Sequence, residues 1–317
     1  MTGAQEGCIA LLRDRLEPSA AAVALAAASP STGAFSWSAG ASPDGRPVTP
    51  RTPMYAGSIT KQFLAALVGR TILAGRLEVD ASVGRILPAL PVWTEPVRVR
   101  HLVHHTAGLP PTAPLLSMLH LPDEAGLTNQ LVLRGLSLLP QPWDAPGHAF
   151  AYSNLGYVLL AEILRVATGT DAAALAHGAL ITPLGLTDSS IGQGTPYALR
   201  QPPPRTIGDG GLWTTATDLL RWLETLNLGL LGEDLTDLLQ TPGHLDDGTS
   251  LEYAWGMTVR PAGPGATYTH GGSWPGWTAK TVRNPAAGTA LALLTRHDDA
   301  RLVSDVAMAM HELLLRG

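Results

Sequence analysis

"MYAGSITKQFLAALVG", residues 54–69, decides how this chain is read. Ser58 stands three positions before Lys61, one of only two lysines; the other is Lys280, and arginine carries the remaining fixed positive charge. An amine can release its proton and a guanidinium cannot, so an arginine-preferring chain keeps here a cation able to act as a base. The segment reads as a helix from about Ser58 to Ala74, closed by Gly75 just past its end. Ile59, Phe63, Leu64, Leu67, Val68 and Ile72 cover most of its circumference, so the helix is expected to be buried on nearly all sides. A serine and a lysine at the start of such a helix need a purpose.

Residues three apart on a helix share a face, with Cβ atoms about 5 to 6 Å apart, which lets the Lys61 amine reach the Ser58 hydroxyl. Gly57 permits a close approach in front of the serine, and free N–H groups in the first turn favour an oxyanion there. A serine hydroxyl is a poor nucleophile until a base takes its proton, and burial disfavours the charged form of an amine that could be that base. Ser-x-x-Lys arises by chance in about one chain in ten of this composition, so further residues must carry the case.

Composition narrows the partners. A chain of 317 residues, 45% apolar, can bury a large core as one domain or as two lobes sharing a cleft. A net charge of −5 and a pI near 6.0 leave no basic stripe for nucleic acid. Cys8 is the only cysteine, which excludes an internal disulfide and a cysteine zinc site. No apolar run approaches 18 residues, so no membrane span is expected. "PSAAAVALAAASP" (18–30) follows Arg13 and Arg15 and imitates a signal peptide's apolar stretch. Glu17 and Pro18 interrupt it and alanine is a weak hydrophobe, so it reads as a buried strand after a first helix, "CIALLRDRLE", and a cytoplasmic location is expected.

"GAFSWSAGAS" reads as a second strand ending in the turn-rich "SPDGRPVTPRTP". From about 77 to 200 the pattern is helical with proline-broken connections, and "NLGYVLLAEILRVATGT" is its clearest amphipathic helix. Beyond 208, "YAWGMTVRPA", "ATYTHGGSW", "TAKTVRNPAAG" and "TALALLTRH" are short β-like runs before a C-terminal helix, "ARLVSDVAMAMHELLLR". This predicts an α+β chain forming one unit over 1–317: a discontinuous α/β lobe of about 1–57 and 208–317, and a mostly helical lobe of about 58–207.

"YSNLGY" supplies Tyr152, Ser153 and Asn154, and "YTHGGSWPGW" supplies His270, Gly271 and Gly272. With Ser-x-x-Lys, Tyr-x-Asn, and then a His followed two positions later by Gly, the chain resembles the serine β-lactamase and penicillin-binding superfamily. The likeness is to the branch of class C β-lactamases, D,D-carboxypeptidases and related family VIII-like esterases. "GRLEVDASVGRILP" (75–88), "VRVRHLVHHTAGLP" (97–110), "ITPLGLTDSS" (181–190) and "GDGGLWTTATDLLRW" (208–222) look like the same family, so the resemblance spans nearly the whole chain. It implies a mostly antiparallel sheet flanked by helices beside a helical lobe, with the site between them and no metal or cofactor. It further implies Ser58 as nucleophile, Lys61 as its base, and Tyr152 as the group that passes a proton between nucleophile, leaving group and water. Asn154 would bond Lys61 and a substrate amide or carbonyl. His270, where many relatives carry lysine, would help hold Tyr152 and the substrate, and the N–H groups of Ser58 and Ser273 would form the oxyanion hole.

Each of these residues also has a plainer reading. Tyr152 and Asn154 would suit the cap of the helix that follows, and His270 would suit a structural strand position. Gly271 and Gly272 would suit a turn or a close strand approach, and Trp274 and Trp277 either the pocket or the core. His101, His104 and His105 have helical spacing suited to zinc but no acidic or cysteine ligand nearby. "GGSWP" around Ser273 lacks the second glycine of an α/β-hydrolase elbow. Gly271 stands where β-lactamases and carboxypeptidases of this type usually offer a hydroxyl to the substrate carboxylate, worth roughly 1.5 to 3 kcal/mol. The expected activity is therefore an esterase-like hydrolase or acyltransferase on a small ester or amide. The alternatives are a D,D-carboxypeptidase, D-aminopeptidase or lactam-cleaving β-lactamase, and a penicillin-binding sensor that acylates without turnover.

Overall fold

The computed structural model describes residues 1–192, 194–199, 201–261 and 265–317. Its strands are β1 (Ala22–Ser29), β2 (Gly33–Gly40), β3 (Met54–Tyr55), β4 (Ser190–Ile191), β5 (Leu212–Thr214), β6 (Thr258–Pro261), β7 (Ala266–Trp274), β8 (Trp277–Asn284) and β9 (Thr289–Thr295). The helices begin with α1 (Gly3–Arg15), α2 (Thr60–Leu73), α3 (Val83–Ile86), α4 (Val99–Val103), α5 (Thr112–Met118) and α6 (Asn129–Ser137). They continue with α7 (Asn154–Thr168), α8 (Ala172–Ala176), α9 (Ala216–Asn227), α10 (Glu233–Gln240) and α11 (Ala300–Arg316).

The alanine-rich run that imitates a leader is β1, buried along its whole length. Ala22, Ala24, Ala26 and Ala28 face one apolar cluster, while Val23, Leu25 and Ala27 face another. A strand covered on both faces has no polar alternation to show, which is why the run reads as continuous apolar sequence. It pairs antiparallel with β2 and β9 inside a six-stranded sheet of order β2-β1-β9-β8-β7-β6, antiparallel throughout. A smaller sheet has the order β3-β5-β4.

One face of the large sheet is closed by α1 and α11, through Leu12, Leu16, Val303, Met310 and Leu314 on Leu25, Val282, Leu291 and Leu293. The other packs on α9, and α2 and α7 complete the main core, which includes Phe63, Leu160 and Trp222. Among the described residues no helix is long and apolar enough to cross a membrane.

Two local features position the site. The helix expected from Ser58 begins as a 3-10 turn, Gly57–Ile59, and continues as α2. Every residue from Thr60 to Gly69 is buried, and Gly75 takes the left-handed conformation (φ 68°) just beyond α2. The run "YAWGMTVRPA" yields only the four-residue β6, and its last residue lies outside the described residues. β6 pairs with β7 no further than Thr258↔Thr269, so from His270 to Trp274 no strand among the described residues lies beside that edge of β7.

Candidate active site

Thr60 Oγ1 donates to the Gly57 carbonyl at 2.6 Å and tightens the turn that carries Ser58. In 3-10 geometry side chains three apart eclipse, so Lys61 lies over Ser58, with Nζ 3.0 Å from Oγ. Lys61 is fully buried. Its Nζ also donates to Asn154 Oδ1 at 2.9 Å and to the Asp209 backbone carbonyl at 3.0 Å. These three partners are uncharged, and two of them can only accept. Ser58 alone of the three can also donate.

Two glycines bring β7 against the Ser58 turn. A Cβ on Gly57, whose φ is +51°, would stand 2.9 Å from Ser273 N. One on Gly272 would stand 1.9 Å from the Ala56 carbonyl oxygen and 3.0 Å from Ser58 N. Only with both side chains absent can the backbones of Ser58 and Ser273 sit this close together.

α7 starts at Asn154, with Ser153 at the capping position and no side-chain cap. Asn154 Oδ1 bonds Lys61 and does not cap the helix end. Tyr152 is 47% exposed, and its ring lies 5.0 Å from Lys61 Nζ and 4.3 Å from the His105 ring. His105 has a left-handed backbone (φ 57°), and its Nδ1 accepts the Ser153 N–H at 3.1 Å, so it braces the loop that presents Tyr152. Burial first, and then Lys61, hold its imidazole well below the usual histidine range and hence neutral.

His270 is buried, and burial with Lys61 lowers it to about 3. Neutral, it donates from Nδ1 to the Gly271 carbonyl at 2.6 Å and accepts at Nε2 from Tyr253 at 3.1 Å. Its ring is 6.2 Å from that of Tyr152, and both nitrogens are committed elsewhere. The three histidines of "HLVHH" are likewise separated: His101 accepts the Arg98 N–H, His104 bonds the Arg100 carbonyl, and His105 meets Ser153. Among the described residues no group of three or more metal-binding side chains gathers. Trp277 packs in the core at 5.3 Å from Trp213, and Trp274 donates to the Gln201 carbonyl, so neither wall of the cleft is tryptophan.

Ser58, Tyr152, Asn154, His270, Gly272 and Ser273 line one cleft of about 590 Å³. Gly271 lines it too, with nothing closer than the Ala279 carbonyl at 3.8 Å to oppose a Cβ. Tyr253 and Lys280 are among its further lining residues and lie outside the site expected from the sequence. Lys280 was within reach of counting: Pro275-Gly276 is a two-residue hairpin turn with Gly276 at φ 81°, and the register that follows sets Gly271 opposite Lys280. Tyr253 had no such signal, because it approaches His270 through the loop before β6.

With fold and site together, the chain belongs to the beta-lactamase family, whose model matches residues 10–314. A penicillin-binding protein of Bacillus subtilis (strain 168) is 23% identical over 278 residues, 75% of this chain and 59% of that protein. Esterase EstB of Burkholderia gladioli is 29% identical over 245 residues, 61% of this chain and 62% of that protein. The chain thus spans about three-fifths of the length of these curated relatives. The crystal structure of D-amino acid amidase from Ochrobactrum anthropi SV3 shares the fold, with a TM-score of 0.79 at 20% identity over 99% of this chain and 98% of that one.

Proposed function

We propose that this protein is a serine hydrolase that turns over small carboxylic esters or amides through an acyl-enzyme on Ser58. The observation that carries the proposal is Lys61 Nζ, buried among three uncharged partners of which Ser58 is the only one able to give it a proton. Lys61 takes the hydroxyl proton as Ser58 Oγ attacks the carbonyl carbon, and the N–H groups of Ser58 and Ser273 hold the resulting oxyanion. As the intermediate collapses, the ester or amide bond breaks and Tyr152 delivers a proton to the departing alcohol or amine. Water then loses a proton to the same pair and attacks the acyl carbon, releasing the acid and restoring Ser58. An alcohol or amine acceptor in place of water gives acyl transfer by the same steps. The name of the relative Esterase EstB supports the ester reading. On this reading 1–317 is one catalytic unit, its α/β lobe of about 1–57 and 208–317 facing the helical lobe of about 58–207.

The test is steady-state release from p-nitrophenyl butyrate. Many turnovers per molecule are expected, and none above background in Ser58→Ala. One equivalent released and then a stall would make the protein an acylated binder. Turnover that survives Ser58→Ala would overturn the mechanism.

A further inference from the structure

The run "GDGG", residues 208–211, bears one side chain, that of Asp209. Its glycines let the segment thread between two elements. A Cβ on Gly208 (φ 120°) would collide with the Tyr157 carbonyl oxygen on α7, and one on Gly210 would stand 2.5 Å from the Tyr55 hydroxyl on β3. That hydroxyl also accepts the Gly211 N–H at 3.3 Å. The wedged backbone places the Asp209 carbonyl 3.0 Å from Lys61 Nζ. A carboxyl lies about 3 to 4 Å from its own residue's carbonyl oxygen, so that of Asp209 stands within roughly 7 Å of the amine.

This carboxyl is short of partners. Asp209 is half-buried, and its Oδ1 is shut off from solvent with no hydrogen-bond partner among the described residues. Burial raises the acid, and Lys61 first, then the Thr206 hydroxyl, pull it back. Two more ionisable groups face it, Tyr55 on β3 and Glu124 on the turn Glu124–Gly126, and the Asp209 charge pushes both up. Tyr157, which approaches from α7, is held by the Val103 carbonyl at 3.0 Å, and Arg205, earlier in the same segment, is exposed. Lys61 is thus the buried cation that offsets the Asp209 charge.

From this placement we infer that the Asp209 carboxylate is a positioning residue for the base, stabilising through space the ammonium that Lys61 becomes while it holds the Ser58 proton. The inference rests on the Ser58 and Lys61 reading above. As Oγ bonds to the carbonyl carbon, its O–H bond breaks and a third N–H bond forms on a neutral Lys61 amine, which acquires a positive charge. None of the three hydrogen-bond partners of Nζ carries a negative charge to meet it. The Asp209 carboxylate supplies one from behind the amine, on the side away from Ser58 and the substrate, and keeps the base strong without competing for its proton.

The acid limb of kcat/KM for p-nitrophenyl butyrate reads this charge. Asp209→Asn keeps the shape and removes the charge, so the amine releases its proton more readily and is a weaker base toward Ser58. The limb should move at least about half a pH unit toward acid, and the plateau above it should fall at least about fivefold. A profile superimposable on that of the unaltered protein would overturn the inference. A measurement that leaves Asp209 in place guards against a variant that does not fold. With lysine labelled at 13Cε the protein gives two signals, and Lys280→Gln identifies the one from Lys61. Besides its own titration, that signal should show a second inflection below pH 7 as Asp209 takes up a proton. Glu124→Gln removes the neighbouring negative charge and should move this inflection to lower pH. No second inflection, or one that Glu124→Gln abolishes, would count against the pairing. Failure of the Ser58 and Lys61 reading looks different, since Lys61→Arg would then keep its activity whatever Asp209→Asn does.

Discussion

Lys61 has a role that its charge alone cannot fill. Arginine in its place would keep a cation beside Ser58, Asn154 and the Asp209 carbonyl but would have no lone pair to offer the hydroxyl. Lys61→Arg should therefore lower kcat/KM for p-nitrophenyl butyrate by at least about 10²-fold, the lower end of general-base contributions, and Tyr152→Phe should act similarly. Steady-state rates within a few-fold of the unaltered protein would remove both residues from the proton path. The Ser58 to Lys61 pair was legible because three residues of helix fix its geometry. The partners of His270 were not: its bonds to Tyr253 and to the Gly271 carbonyl depend on where a loop returns in space. His105 escaped as well, because a histidine with positive φ that braces Tyr152 has no spacing signature to set it apart from the two beside it.

The contact between β7 and the turn that starts α2 is where secondary structure becomes a site. Gly272 lies where a methyl group would meet the Ala56 carbonyl oxygen at 1.9 Å, and both atoms belong to backbones that cannot swing aside. Gly272→Ala should cost about 1 to 3 kcal/mol, as overpacking typically does, and it should lower kcat more than it raises KM by parting the Ser273 N–H from that of Ser58. Thermal melting and steady-state kinetics check the two halves, and an unchanged melting point with unchanged kcat would contradict the close packing. At this scale the sequence was informative where a pattern is local. β1, β2, the helix after Ser58, the runs that became β7, β8 and β9, and α11 all follow from periodicity and turn residues. It was weaker where partners decide length. "YAWGMTVRPA" reads as a β-like run of ten residues, yet among its described residues only Thr258–Pro261 form a strand, and the shortfall leaves free the β7 edge that borders the cleft.

Across the whole molecule, buried histidines set the response to acid. Burial lowers His104 and His311 to about 4 and His270 to about 3, and it also depresses His101 and His105. These groups stay neutral when folded and take up protons when unfolded, so the unfolded chain binds more protons below about pH 6.5 and stability falls as pH drops toward their folded values. Between pH 7 and pH 5 the loss is on the order of 1 to 2 kcal/mol for each of His104, His270 and His311. Asp209 and Asp218, raised by burial, work in the opposite direction and flatten the slope. Denaturant midpoints should therefore decline from pH 7 to pH 5, and less so in His311→Gln, which lies on α11 against Thr289. A midpoint that held steady or rose would contradict the neutral burial of these rings. The central claim is the covalent role of Ser58, and the most direct measurement is labelling with a fluorophosphonate followed by peptide mass mapping. A single adduct on Ser58, within residues 54–70, is the predicted result; an adduct on Ser273 instead, or sustained ester turnover with no adduct at all, would contradict it.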